Sequence, residues 1–295
     1  MKPPINYYGG KTRIAPWIVS LMPPHDAYVE PFCGAASVLF AKRPVAHEVV
    51  NDIDGHLVTF LRVLRDRPDD LVRVCRLTPY ARDEFAACDD RDVEDDVERA
   101  RRTWVRIVQA FSGATSDSHR SSWSASIRNG GSDAWAVQRM VDRMHEAAER
   151  LRGVIIDNRP AIEAIELYGR RSDVLMYIDP PYLASTRRRT QSSRRFRAND
   201  YLHDMSTEEQ HRELAAALAA TPATVMLSGY HSPLYDELYE GWSVSERQVT
   251  ASAGNRRGQP TIRATEVLWC NRPLMTQLRL EAGGGGGRVD ERLAA

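Results

Sequence analysis

Short apolar runs recur along this chain, and most are separated by stretches whose apolar positions fall three or four residues apart. Runs rich in β-branched and aromatic residues predict strands over Ala27 to Glu30, Glu48 to Asp52, Val154 to Asp157, Val174 to Asp179, Thr224 to Ser228, Ser243 to Val249 and Thr265 to Asn271. Strands that alternate with helical periodicity predict an α/β sheet with mainly parallel strands. The last two are expected to pair as a hairpin at one edge, which makes one strand antiparallel. Several runs end in an acid or a small polar residue. That puts polar groups at the carboxyl edge of the sheet, where open α/β folds bind ligands.

Between Asp54 and Arg152 the pattern becomes mostly helical. Val93, Val97, Ala100, Trp104, Val108 and Phe111 share one face at 3.6-residue spacing, and Asp95 with Arg99 and Glu98 with Arg102 stand four residues apart. The acid-rich stretch Asp89 to Glu98 is expected to be the solvated start of a helix, where carboxylates suit the dipole. Periodicity vanishes from Ser112 to Ser132, which predicts an exposed loop or hairpin around Trp123 and Ile127. A second irregular stretch, Ala184 to Asn199, holds six arginines and no acid. Ser206 to Ala220 reads as a helix, and Gly283 to Gly287 with the charged residues after it reads as a flexible end.

Composition narrows the classes. A chain of 295 residues with 42% hydrophobic and 27% charged positions buries roughly three quarters of its unfolded surface, which excludes disorder as the main theme. Forty basic residues balance forty acidic ones, so nucleic acid is drawn only by a local patch. Cys33, Cys75, Cys88 and Cys270 lie too far apart for zinc spacing, and no metal is expected. No apolar run approaches the roughly 18 residues of a membrane span, and Pro3, Pro4, Gly9, Gly10 and Pro16 interrupt the N-terminus. The expected location is therefore a cytoplasm, with no membrane partner.

The chemistry concentrates in a few places. Asp179, Pro180, Pro181 and Tyr182 follow directly on the buried run Val174 to Ile178. Two prolines fix the backbone and donate no hydrogen bonds, which leaves the Asp179 carboxylate and the Pro180 carbonyl as convergent acceptors, the pair that an amino group with two N–H bonds requires. Tyr182 offers a flat face on which a planar base stacks. That geometry suits group transfer to an aromatic amine, because fixed acceptors stabilise the positive charge growing on its nitrogen. Upstream, Tyr28-Val-Glu30 leads through Pro31-Phe32-Cys33-Gly34-Ala35-Ala36-Ser37 into an apolar helical stretch, the strand, glycine turn and helix that open a nucleotide-binding sheet. Asp52 stands 22 residues beyond Glu30, at the distance from which an acid commonly receives ribose hydroxyls. Tyr7-Tyr8-Gly9-Gly10-Lys11 adds a lysine after a flexible pair.

Taken in order, Tyr7 to Lys11, Glu30-Pro-Phe-Cys-Gly34, Asn51-Asp52-Ile53 and Asp179-Pro-Pro-Tyr182 resemble the Dam-like adenine-specific DNA methyltransferases of bacteria and phages. Leu227-Ser-Gly-Tyr230 and Thr265-Glu-Val-Leu-Trp269-Cys-Asn271 extend the likeness over most of the chain. The resemblance implies a seven-stranded, mainly parallel Rossmann-like methyltransferase sheet with an antiparallel edge strand and a helical target-recognition insertion. It implies S-adenosylmethionine as methyl donor, double-stranded DNA as partner and the exocyclic N6 amine of a flipped adenine as acceptor. Tyr7 and Lys11 would close over the donor, Phe32 and Gly34 would line its methionine side, Glu30 would also belong to its site, and Asp52 would meet its ribose. Asp157 would face its adenine by position, and Asp179 would stand near both donor and target amine. Ala36 departs from the glycine frequent in the family, and Tyr7 replaces a tryptophan seen in some members.

The implied organisation is a catalytic domain of residues 1–54 and 153–280, a helical insertion of 55–152 and a Gly-rich end of 281–295. Within the insertion the expected base reader is Phe111 to Gly131, with Arg120, Arg128 and Asn129 reaching base edges. Arg187, Arg188 and Arg189 follow the catalytic turn and would hold phosphates around the extruded base. A restriction endonuclease is an expected companion in the same system. The alternatives are an RNA adenine methyltransferase using the same turn and a non-catalytic DNA-binding module. A cytosine-amino methyltransferase fits less well, because those commonly carry serine in place of Asp179.

Overall fold

In the computed structural model all seven predicted strands form, and they join in one sheet. They are β1 (Ala27–Glu30), β2 (His47–Asn51), β3 (Val154–Asp157), β4 (Val174–Ile178), β5 (Thr224–Gly229), β6 (Ser243–Thr250) and β7 (Arg263–Cys270), in the spatial order β3-β2-β1-β4-β5-β7-β6. The structure describes residues 1–7, 9–110, 123–124, 133–183, 205, 207–250 and 263–275. Strands β3, β2, β1, β4 and β5 are parallel neighbours, and β7 runs antiparallel between β5 and β6. The expected hairpin is present, with Ser243 paired to Cys270 and Thr250 to Arg263.

Both faces of the sheet are covered, and β4 shows why its sequence is continuously apolar. Leu175 and Tyr177 point into one core and Val174, Met176 and Ile178 into the other, as two-residue alternation requires. The first core joins the sheet to α1 (Ala15–Leu21), α2 (Ser37–Ala41), α3 (Gly55–Asp66), α4 (Pro68–Leu77), α5 (Arg82–Ala87), α6 (Asp96–Val108), α7 (Asp133–Val141) and α8 (Met144–Leu151). The second packs α9 (Ala161–Tyr168), α10 (Glu208–Ala220) and α11 (Pro233–Leu238) on the opposite face. Glu48 on β2, almost fully buried, takes Lys42 Nζ at 2.7 Å and Arg150 Nη2 at 2.9 Å, so one carboxylate ties the end of α2 and α8 to the sheet.

The helical stretch departs from the sequence reading in detail. Asp95 does not pair with Arg99; it caps α6, accepting from the N–H groups of Val97 and Glu98, and Arg99 pairs with Asp96 instead. A short acid at the last non-helical position reaches the free N–H groups of the first turn more readily than a side chain one turn on. Glu98 and Arg102 do pair, at 2.7 Å. Val93 precedes the helix, whose buried side runs through Val97, Ala100, Trp104 and Ile107. Phe111, the reader stretch with Arg120, Arg128 and Asn129, and the arginines Arg187, Arg188 and Arg189 lie outside the described residues.

The chain passes outward from β1 to β2 and β3, then returns to place β4 beside β1. The carboxyl ends of β1 and β4 therefore diverge at a topological switch point, and a crevice opens between them. The turn that follows β1 carries two left-handed residues, Gly34 at φ 49° and Ala36 at φ 51°. Gly34 adopts this conformation freely, and a Cβ there would also come within 3.2 Å of the Tyr7 ring. Ala36, fully buried at the start of α2, holds it against a steric cost of about 1–2 kcal/mol. Ala36→Gly is accordingly expected to raise unfolding stability by about 1 kcal/mol, once glycine's extra chain entropy is counted. Urea denaturation of the two proteins checks this.

Candidate active site

The crevice is a cleft of about 850 Å³ open to solvent, lined among others by Tyr7, Lys11, Glu30, Phe32, Gly34, Asp52, Ile53, Asp179, Pro180, Pro181 and Tyr182. Every residue assigned to catalysis, and every one assigned to the donor except Asp157, is thus brought to one place. On the β1 side, Gly34 N–H donates to Asp52 Oδ2 at 2.9 Å and Asp54 N–H to Asp52 Oδ1 at 3.0 Å, which fixes the carboxylate after β2. Buried Asn51 pins this corner by donating to the carbonyls of Pro31 at 2.9 Å and Arg159 at 3.0 Å. Asp157 ends β3 on the far side of β2. Its carboxylate takes the Tyr168 hydroxyl at 2.8 Å and the Arg159 guanidinium, and it stands outside the cleft lining.

Asp179 follows β4 directly. Its Oδ1 lies 2.9 Å from Lys11 Nζ and accepts the Ser228 hydroxyl at 3.0 Å, and Ser228 is hydrogen-bonded in turn to the Tyr177 hydroxyl at 2.9 Å. Burial pushes the Asp179 carboxyl above its ordinary range, against the pull of Lys11 and Ser228. Lys11 also donates to the Tyr182 hydroxyl and stands 4.6 Å from that ring's centre. Tyr182 meets Tyr230 edge to face at 4.9 Å and donates to Glu266 at 2.6 Å. A carboxylate acceptor at Asp179 and an aromatic face beside it at Tyr182 are two contacts that suit an aminopurine.

Sequence reasoning did not single out Ile53, Ser228, Tyr177 or Glu266 as site residues. Ile53 had a local signal, since an apolar side chain directly after the Asp52 acid lies on the cleft wall and is 39% exposed. Ser228 and Glu266 fall inside stretches already noted for their resemblance, but only strand register brings them to Asp179. Ile178 pairs with Leu227, and Gly229 with Val267.

A sheet of this order, with a glycine turn after its first strand, an acid after the second and Asp-Pro-Pro-Tyr after the fourth, defines an α/β methyltransferase. The chain belongs to the D12 class of N6 adenine-specific DNA methyltransferases, whose profile matches residues 7–252. It is an enzyme that transfers a methyl group to adenine in DNA. It is also 25% identical to the Type II methyltransferase M1.LlaDCHI of Lactococcus lactis subsp. cremoris over 289 residues, covering 92% of this chain and 95% of that protein. Among solved structures, precorrin 8w decarboxylase from Methanobacterium thermoautotrophicum aligns with 92% of this chain and 98% of its own, at 9% identity and a TM-score of 0.39. That likeness is too slight to add to what the sheet order shows. Among the described residues, no cluster of His, Cys, Asp and Glu is arranged to hold a metal ion, and no helix is long and apolar enough to cross a membrane.

Glu30, buried at the end of β1, is among the residues lining the cleft. Its Oε1 accepts from the Tyr28 hydroxyl at 2.8 Å and the Leu39 N–H at 2.6 Å, yet burial outweighs both bonds and pushes its pKa from 4.5 to about 8. Where the folded protein keeps this proton, the unfolded chain has already released it. Stability is therefore greatest below about pH 4.5, as far as this group is concerned, and falls as pH rises towards about 8. In Glu30→Gln that fall is expected to flatten, which denaturant midpoints measured from pH 5 to pH 8 reveal; an unchanged slope contradicts the assignment.

Proposed function

We propose that the methyl donor is S-adenosylmethionine and that the acceptor is an adenine swung out of duplex DNA into the cleft beside Asp179. The observation that carries this reading is the meeting of Asp179, Pro180 and Tyr182 with Tyr7, Phe32, Gly34 and Asp52 in one crevice. The residues fit the donor: a fixed carboxylate at Asp52 for ribose hydroxyls, an exposed Ile53 beside it for the base, and the Tyr7 ring against Gly34. When bound, S-adenosylmethionine supplies a methyl group activated by a sulfonium.

The chain's own residues do the rest. The Asp179 carboxylate and the Pro180 carbonyl accept the two N–H bonds of the adenine amine, turning its lone pair towards the cleft and stabilising the positive charge that develops on nitrogen. Asp179 also offers a base for the proton that the methylated amine must lose, and burial raises its affinity for that proton. Tyr182 provides the stacking surface. Extrusion is needed because an amine inside the duplex cannot reach this cleft.

Residues 55–152 are our proposed target-recognition module, with Arg120, Arg128 and Asn129 at base edges and Arg187, Arg188 and Arg189 on phosphates. Asp157 stands outside the cleft with its carboxylate held by Tyr168 and Arg159, so Ile53 rather than Asp157 is our candidate beside the donor's base. The Type II character of M1.LlaDCHI supports a partner restriction endonuclease in a bacterial or phage-infected cytoplasm, where the DNA is.

Expression in a methylation-free strain, followed by single-molecule sequencing, is expected to show N6-methyladenine in one short word, with none left in Asp179→Ala while the fold persists. Substantial residual methylation by that variant refutes the role given to Asp179. Replacing Arg187, Arg188 and Arg189 by Ala is expected to weaken DNA binding alike on all sequences and to flatten its salt dependence by about one unit of slope per lost phosphate contact. Affinity and slope equal to the wild type's assign that run to bystander surface.

A further inference from the structure

Glu266 stands on β7, two strands from Asp179, and lies outside the donor cleft lining. Strand alternation puts it on the same face as Leu268 and Cys270, both fully buried and apolar. An ionised carboxylate in such a place costs several kcal/mol unless partners hold it, and a hydrocarbon side chain would serve the sheet as well or better. The partners of Glu266 explain its presence. Its Oε1 accepts the Tyr182 hydroxyl at 2.6 Å and lies 3.3 Å from Lys11 Nζ. Tyr182 and Tyr230 stand edge to face, and Lys11 is at the same time 2.9 Å from Asp179. One buried acid thus gathers the aromatic wall and the lysine that face the reacting amine.

We propose that Glu266 is a positioning residue for methyl transfer, fixing the Tyr182 ring and the Lys11 ammonium relative to Asp179 before the adenine arrives. The inference rests on the function proposed above. Two physical effects follow from the contacts. Holding the phenol at its far end removes the rotational freedom of the ring on which the base stacks, so the base meets a preformed surface. Sharing Lys11 between two carboxylates draws part of its positive charge off Asp179, which leaves Asp179 a better acceptor for the amine. The first effect acts on the stacking surface for the base, and the second acts through Lys11, which lines the cleft that the donor shares.

The test uses the full chain on a duplex carrying the word mapped for the wild type, with Glu266→Leu, Glu266→Gln, Tyr182→Phe and the double variant Glu266→Leu/Tyr182→Phe. Glu266→Leu is expected to fold with an unchanged or higher melting temperature and to bind S-adenosylmethionine within about fivefold of the wild type in calorimetry, while kcat falls about 10- to 100-fold. Glu266→Gln keeps an acceptor for the Tyr182 hydroxyl and is expected to recover part of that loss. Adding Glu266→Leu to Tyr182→Phe is expected to cost less than Glu266→Leu costs in the wild type, since the Tyr182–Glu266 bond is already lost and only the Lys11 contact remains to be cut. A kcat for Glu266→Leu within about twofold of the wild type overturns the proposal, as does full additivity with Tyr182→Phe. Should Glu266→Leu fail to fold, Tyr182→Phe decides: a loss of about tenfold supports the proposal and an unchanged kcat overturns it. A wild type that methylates no DNA sinks the functional reading itself, whereas an active wild type with indifferent variants sinks only the role of Glu266.

Discussion

The contact between the Asp179 carboxylate and the Lys11 ammonium holds this structure's chemistry together. A carboxylate at the buried end of β4 is costly in isolation, and Lys11 at 2.9 Å with the Ser228 hydroxyl at 3.0 Å offsets that cost. The lysine comes from the N-terminal segment and the serine from β5, so the acid is fixed from both sides of the crevice. Its position follows from topology. Because β4 returns to lie beside β1, the residue directly after β4 must face the turn directly after β1, so the proposed acceptor and donor halves share one opening.

The donor half is built mostly from backbone. Gly34 and Asp54 donate N–H bonds to Asp52, Cys33 donates its N–H to the Asn51 carbonyl at 2.9 Å, and the Asn51 side chain fastens the loops after β1 and β3. Few of these contacts depend on a bulky side chain, so the loop lies close to whatever occupies the cleft. The acceptor half is the reverse, a network of side chains running from Tyr177 through Ser228, Asp179 and Lys11 to Tyr182 and Glu266. Its members share protons and charge, and a change at one is felt by the others.

The helical stretch between β2 and β3 is part of the same core. Trp104 on α6, Phe60 on α3 and Val50 on β2 belong to one continuous buried cluster, and Glu48 binds α8 to the sheet through Arg150. Helices α3 and α8 are therefore seated on the sheet that carries the cleft.

The amino-acid sequence by itself determined the strands, because both faces of the sheet are buried and the apolar runs of β1, β4 and β5 have no other satisfactory place. It also marked Asp179, Tyr182, Gly34, Asp52 and Lys11, which the fold brings to one cleft, because prolines, glycines and acids at strand ends leave a local mark. Only the tertiary structure decided that Asp95 caps α6 rather than pairing with Arg99, that Ala36 holds a left-handed backbone, and that Asp157 stands away from the cleft. The same is true of Glu266 and Ser228. Their parts in the site come from the register of β5 against β4 and β7, and pairing between strands distant in the chain leaves no periodicity in either segment alone.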